Sequence, residues 1–146
     1  MVESKIGDFE VLEFMPENEA DNGKGTSGKD MISTLEENGI ATKEGLKFCA
    51  NDPEFYKEIL SEYAKLSEDR IRELDEAFTA NDMELYTIKV HALKSVAKTV
   101  GDKTVFEKAY NLEMAGKSKD TATIKDKHPE LIAEYRAKVG VIRTIL

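Results

Sequence analysis

The sequence predicts an all-α protein, an antiparallel four-helix bundle with one or two short extra helices. Apolar residues recur at steps of three and four over most of the chain, which is the period of an amphipathic helix. The chain contains no Trp and only three Pro, and 34% of its 146 residues are charged, a composition that favours a soluble helical protein. Four long amphipathic helices with short connections close most naturally as an antiparallel bundle.

The first 29 residues differ in composition from the rest of the chain. A short, imperfectly alternating apolar stretch ends at Pro16, and the sequence from there to Lys29 is rich in Glu, Asn, Asp, Gly, Ser and Lys, as linkers are. We therefore expect residues 1–29 to form an N-terminal arm or linker and residues 30–146 to form the helical domain. The apolar stretch could be a strand of a neighbouring domain or an arm laid along the helices.

Two short helices are predicted at the start of the domain. Asp30 can cap the first, which ends near Gly39, and Thr42 can cap the second. We expect both to cap one end of the bundle.

The long helices follow. Asp52-Pro53 combines a capping carboxylate with proline at the first helical position, and the apolar stripe then keeps its phase to about Ala80. This favours one long helix over two helices joined near Ser67. The other three are predicted from Asp82 to Gly101, from Asp102 to about Ala115 with Gly116 as its end, and from Pro129 onward after a short helical turn at 121–126.

Charge and hydropathy exclude several classes of function. A net charge of −8 and a pI near 4.9 argue against nucleic-acid binding, which needs a basic face. No apolar run approaches the roughly 18 residues of a membrane span, and the N-terminus lacks the apolar core of a signal peptide. We therefore expect a cytoplasmic protein with no membrane association. Cys49 is the only cysteine, so neither an intrachain disulfide nor a multi-cysteine metal site is possible.

The helix between Asp82 and Gly101 carries the candidate site. His91, one of only two histidines, has Lys94 at i+3, and these positions share one face of a helix. Two further polar residues continue that face at i+4 and i+7: Ser95 and Lys98. The opposite arc of the helix is predicted to be apolar: Leu85, Ala92, Leu93, Val96 and Val100.

This arrangement predicts phosphoryl chemistry at His91. The histidine points away from the apolar arc, so we expect an exposed ring rather than a core histidine. Neighbouring lysines disfavour a further positive charge and therefore favour the neutral, nucleophilic imidazole. They also suit a phosphoryl group, whose oxygens need positive partners during transfer.

Other chemistries are poorly supported by the sequence. Zinc needs several ligands, and the second histidine, His128, stands beside Pro129 at a predicted helix start. Ser95 lies one turn from His91, but an orienting acid and an oxyanion site are not evident. No glycine-rich phosphate loop is present. We therefore expect no metal or nucleotide cofactor on this chain, and a phosphoryl group would come from a partner.

The segment His91-Ala-Leu-Lys94-Ser95-Val-Ala-Lys98-Thr-Val-Gly101 resembles the phosphoacceptor motif of histidine-containing phosphotransfer (HPt) domains, His-x-Leu-Lys-Gly followed six residues later by Gly. Residues 45–80 resemble the long preceding helix of that family, and the segment 112–117 resembles the Leu-Glu-x-Ala end of the following one. The resemblance covers about residues 38–146. It departs from the family at Ser95 and Lys98, where glycines are common.

The resemblance implies a relay carrier in two-component signalling, not an enzyme. His91 would carry the phosphoryl group, Lys94 would stabilise it, and Gly101 would end the helix. Ser95 could donate a hydrogen bond to the phosphate, and Lys98 could contact the partner or narrow which partners fit. The implied partner is a response-regulator receiver domain that supplies Mg²⁺ and an aspartate, and the chain is expected to be monomeric.

Small apolar residues near the histidine are expected to form a docking rim, with Val90, Ala92 and Ala97 as candidates. Two alternatives stay open. The chain could be a helical interaction module without phosphotransfer, or the C-terminal module of a hybrid sensor histidine kinase, phosphorylated on His91 by that kinase.

Overall fold

The computed structural model describes the backbone from residue 26 and the side chains from residue 31 to the C-terminus. Within these residues the chain is all-α. In the part of the chain from residue 26 onward, seven helices pack around one buried apolar core. They are α1 (Thr26–Glu37), α2 (Thr42–Phe48), α3 (Pro53–Lys65), α4 (Ser67–Thr79), α5 (Met83–Val100), α6 (Lys103–Lys117) and α7 (Thr121–Ile145).

Aspartate side chains start most of the long helices, as the sequence predicts. Asp52, Asp82 and Asp102 each accept a hydrogen bond from a backbone N–H of the following first turn. Asp120 does the same for α7. These caps satisfy N–H groups that have no partner inside a helix.

The sequence predicts one long helix from Asp52 to about Ala80. This prediction is wrong, because the structure divides the segment at Leu66 into α3 and α4. The Tyr63 carbonyl accepts a hydrogen bond from the Tyr135 hydroxyl at 2.9 Å. The Ala64 carbonyl accepts from the Ser67 hydroxyl at 2.7 Å and also from the guanidinium of Arg143. These two carbonyl groups therefore accept hydrogen bonds from side chains at the point where a continuous helix would use them for backbone hydrogen bonds.

Two predicted helix ends are also wrong. Helix α6 continues past Gly116 to Lys117, and α7 starts at Thr121 with Pro129 inside it. Proline removes one backbone hydrogen bond. Pro129 lies on the exposed side of α7, where water can satisfy the carbonyl that loses its partner.

Helix α1 begins at Thr26, four residues before the predicted Asp30 cap. The predictions for the apolar stretch before Pro16 and for most of the linker lie outside the described residues. Among the helices that the structure describes, none is long and apolar enough to cross a membrane.

Four fully buried tyrosines tie the helices together through their hydroxyl groups. Tyr56 donates to the Val100 carbonyl at 2.8 Å, and Tyr63 donates to the buried Asp102 carboxylate at 2.7 Å. Tyr135 binds the Tyr63 carbonyl as above, and Tyr86 pairs with His128. These bonds connect α3, α5, α6 and α7 and hold α5 in the centre, in contact with α2, α3, α4 and α6.

Candidate functional site

Helix α5 presents His91 to solvent because its other side is buried. Residues at helical spacing enter the core: Tyr86, Val90, Leu93, Ala97 and Val100. Gly101 ends the helix with a left-handed φ of 86°, a conformation that glycine adopts without steric cost. The bonds from Asp102 N to Ala97 O (2.8 Å) and from Gly101 N to Lys98 O (3.1 Å) form a Schellman motif. Gly101 therefore has the role that the sequence predicts.

The imidazole of His91 is exposed but anchored at one nitrogen. Its side chain is 57% exposed, and Nδ1 lies 2.8 Å from Oε2 of Glu113 on α6. An ionised carboxylate can only accept, so Nδ1 is the protonated nitrogen. In the neutral ring, Nε2 then carries the lone pair. The site thus fixes one tautomer and leaves the nucleophilic nitrogen on the exposed ring.

Glu113 is the buried centre of the site. Its side chain is 3% exposed and faces the His91 ring and two ammonium groups. Lys94 Nζ lies 2.7 Å from Oε1, without the alignment of a hydrogen bond, and Lys117 Nζ lies 3.4 Å from Oε2. Burial alone would raise the pKa of Glu113, but Lys94, His91 and Lys117 together lower it to about 2. The carboxylate is therefore ionised at neutral pH.

The structure gives each predicted phosphate-stabilising residue a definite position. Lys94 is turned toward α6, where its ammonium also lies 5.7 Å from the centre of the Tyr110 ring. The Ser95 hydroxyl donates to the His91 carbonyl at 3.2 Å. Lys98 is exposed two turns from His91. Lys94 therefore neutralises Glu113 in this structure.

Large apolar side chains flank His91 on both sides. Ile88 (59% exposed) and Leu85 (40%) lie on α5, and Tyr110 (45%) and Met114 (39%) lie on α6. The sequence predicts Leu85 and Ala92 on the apolar arc of α5, but both are exposed, so these two predictions are wrong. Of the small residues expected to form a docking rim, Ala92 is exposed, whereas Val90 and Ala97 are fully buried and cannot contribute.

Sequence reasoning missed Glu113 and Lys117. The available signal was the position of Glu113 in the helical repeat. It falls four residues after Ala109, in the stripe of α6 that enters the core. A lone acid at a core position needs a cationic or hydrogen-bonding partner. The sequence could raise that question, but it could not show that the partner is His91, 22 residues earlier.

The second histidine has a different environment from the predicted one. His128 is 5% exposed and lies inside α7, not at a helix start. Its Nδ1 is 2.8 Å from the Tyr86 hydroxyl, and its Nε2 is 2.7 Å from Asp75. The ring also stacks on Phe78 at 4.5 Å between centroids. Because both nitrogens are engaged, His128 has no lone pair for a reaction.

Comparison with known proteins adds no relative: no protein-family model, curated protein or solved structure matches this chain. The features of this chain that bear on its function are therefore the geometry at His91 and the motif in its helix.

Proposed function

We propose that this chain is a phosphorelay carrier, which accepts a phosphoryl group on Nε2 of His91 and exchanges it with the aspartate of a response-regulator receiver domain. One observation carries the proposal: Nδ1 of an exposed imidazole is bonded to the buried carboxylate of Glu113. This bond orients the ring and selects the tautomer in which, in the neutral imidazole, the free lone pair is on Nε2. Both are requirements for in-line attack on phosphorus.

The charges around the ring support the proposal. Lys94 and Lys117 flank Glu113, and Lys98 follows on the same face of α5. The ammonium groups of flexible lysine side chains can turn from the carboxylate toward a phosphoryl group, whose oxygens carry the negative charge during transfer. A basic patch of this kind on a chain of net charge −8 also favours the approach of an acidic partner surface.

The apolar residues around His91 support docking of a protein partner. Ile88, Leu85, Tyr110 and Met114 are exposed on two neighbouring helices, and large exposed apolar groups around a polar centre are typical of interaction surfaces. A receiver domain seated on them would place its aspartate over the imidazole. It would also supply Mg²⁺, because the resemblance to HPt domains assigns the metal to the receiver.

The proposal includes the finer fold. In it, the pair α3–α4 and the helices α5, α6 and α7 form an antiparallel four-helix bundle, with α1 and α2 capping one end. The contacts of α5 with α6, of α6 with α7, of α4 with α5 and of α3 with α7 support this arrangement. In the same proposal the chain is a monomeric cytoplasmic carrier and not an enzyme.

A second candidate is a helical interaction module without phosphotransfer. The exposed apolar residues around His91 favour it, because they would bind a partner whether or not His91 reacts. A third is a module of a hybrid kinase, in which the kinase delivers the phosphoryl group to the same nitrogen. The two differ in whether His91 becomes labelled at all.

The test is phosphotransfer from a panel of receiver domains that carry radioactive phosphate on their aspartates. We expect at least one receiver to label this chain, with label that is lost in acid and retained in alkali, as the P–N bond of a phosphoramidate requires. His91→Gln should abolish labelling. Lys125→Gln, which changes an exposed lysine on α7, is the matched control and should be labelled normally.

Label that persists in His91→Gln would contradict the assignment. If no receiver labels the chain but some bind it with equal affinity before and after His91→Gln, the interaction module is the better description. Labelling by a histidine kinase but by no receiver would identify the kinase-associated module.

A further inference from the structure

We infer that Glu113 is a positioning residue that holds the Nδ1 proton on the imidazole after His91 has been phosphorylated, and that it thereby makes the phosphohistidine short-lived and readily transferred. The inference deepens the proposed function of His91 and rests on it. It concerns how long the phosphoryl group stays on the chain.

The atoms of the transfer step show why this proton matters. The lone pair of Nε2 forms the N–P bond while the O–P bond to the aspartate of the receiver breaks, and that carboxylate leaves with the electron pair. Nε2 carries no proton to lose. The first product is therefore an N-phosphoimidazolium, with the proton still on Nδ1.

Glu113 decides what becomes of that proton. Its Oε2 is 2.8 Å from Nδ1, so the proton stays in a charge-assisted hydrogen bond. If Nδ1 lost the proton, its lone pair would face the lone pairs of a carboxylate at the same distance. An anion beside a titrating nitrogen favours the protonated form, and typically raises the pKa of that nitrogen by about 1–3 units.

The other charged groups around the ring strengthen this effect after transfer. Lys94 contacts Glu113 from α5 and also lies beside the phenol of Tyr110, and Lys117 contacts Glu113 from α6. Lys98 lies two turns further along α5 and is exposed. In the resting protein two of these lysines neutralise Glu113. When they turn to the oxygens of the new phosphoryl group, Glu113 loses cationic partners, and the Nδ1–H bond becomes its main compensation.

The protonated ring is the better leaving group. When water or a receiver aspartate attacks phosphorus, the N–P bond breaks and the electron pair returns to Nε2. From the protonated form, neutral imidazole departs. From the unprotonated form, an imidazolate anion would depart, which is much less favourable. Glu113 therefore lets the phosphohistidine react in its protonated form near neutral pH, whereas free phosphohistidine does so only in acid.

The test uses no receiver. His91 is phosphorylated with the small-molecule donor phosphoramidate. The first-order loss of phosphate is then followed by phosphorus NMR from pH 5 to pH 9, a range in which a shift of about one pH unit is resolved. Glu113→Gln keeps the size of the side chain, and its amide can donate to an unprotonated Nδ1. Phosphate loss is fast at low pH and slow at high pH, with a midpoint between the two regimes. We expect this pH midpoint to lie at least about one pH unit higher in the wild type than in this variant, which is a tenfold lower proton concentration.

Two variants and one spectroscopic measurement complete the test. Glu107→Gln removes an exposed carboxylate from the same helix and should match the wild type. Glu113→Asp keeps the charge and should stay above Glu113→Gln. Nitrogen-15 NMR of the phosphorylated ring should show Nδ1 protonated at pH 7.5 in the wild type and not in Glu113→Gln. If Glu113 only stabilised the fold, its replacement would lower stability without changing the protonation of Nδ1.

The outcomes separate this inference from the proposed function. If wild type and Glu113→Gln lose phosphate with the same pH midpoint, the inference is wrong and the carrier role stands. If the midpoints differ but no receiver exchanges phosphate with the chain, the inference stands and the relay proposal fails. If neither phosphoramidate nor any labelled receiver phosphorylates His91, both are overturned.

Discussion

The two histidines of this protein each contact a carboxylate, but the burial is reversed. At His91 the ring is 57% exposed and its carboxylate, Glu113, is 3% exposed. At His128 the ring is 5% exposed and its carboxylate, Asp75, is 53% exposed. His91 uses one ring nitrogen and His128 uses both.

The difference separates a histidine with one free ring nitrogen from a histidine whose two nitrogens are both engaged. A buried carboxylate holds the ring of His91 at Nδ1 and leaves Nε2 without a hydrogen bond among the described residues. The His128 ring joins α4, α5 and α7 instead, with both nitrogens used in hydrogen bonds to Tyr86 and Asp75. Substitutions at the two histidines, at Glu113 and at Gly116 test this contrast, from the largest expected effect on stability to the smallest.

Replacing the two rings should affect stability very differently. His128→Ala removes a buried ring stacked on Phe78 and leaves the Tyr86 hydroxyl buried without a partner, so we expect a loss of about 3 kcal/mol. His91→Ala should cost about 1 kcal/mol, because Lys94 and Lys117 still neutralise Glu113. Urea unfolding at pH 7 measures both.

The same pair should give the opposite result in labelling by phosphoramidate. His91→Ala abolishes it, whereas His128→Ala, measured at a temperature where the variant is folded, retains it. The contrast between the two histidines is refuted if His91→Ala proves the more destabilising change or if His128→Ala loses the label.

Local signals predicted the frame of the site well. Asp82 and Gly101 bound α5 as expected, because a cap and a left-handed glycine act within one turn of the helix. The outward direction of His91 followed from the period of the apolar residues around it. The candidate histidine could thus be placed from the sequence.

Contacts between distant residues decided what the sequence could not. The break at Leu66 depends on Tyr135 and Arg143, which lie more than 60 residues away along the chain. The burial of His128 depends on Tyr86 and Asp75 in two other helices. No local pattern carries such information.

Acid should weaken the His91 site through Glu113. Its pKa is lowered from an ordinary 4.5 to about 2, so the folded state binds this proton less readily than the unfolded chain. The resulting stabilisation, on the order of 2 kcal/mol, is complete above the ordinary pKa and is lost as the pH falls toward the folded-state value.

Glu113→Gln should therefore be less stable than the wild type at pH 6, and the gap should narrow toward about pH 2.5, which lies between the ordinary pKa and the folded-state value. Chemical unfolding at a series of pH values measures the gap. A gap that is independent of pH would contradict the assignment of this stabilisation to the ionised carboxylate.

The smallest effect concerns the close approach of α5 and α6 beside the site. Gly116 lies three residues after Glu113, and a Cβ built there would overlap the Thr87 side chain, whose hydroxyl is held by the Met83 carbonyl at 2.7 Å. Gly116→Ala should therefore push the two helices apart and cost about 1 kcal/mol, near the low end for overpacking, because one side chain can shift in response.

Gly140 provides the matched control, because it is also helical but has nothing within 4 Å of its built Cβ. Gly140→Ala should stabilise the protein by about 0.5–1 kcal/mol, since alanine loses less backbone entropy on folding. Opposite signs for the two substitutions, with partial rescue of Gly116→Ala by Thr87→Ala, would assign the cost to helix separation. If Gly116→Ala also slowed labelling of His91, the close approach would be shown to set the distance between Nδ1 and Glu113. Equal effects of the two alanines would mean that α5 and α6 are not in tight contact beside the site.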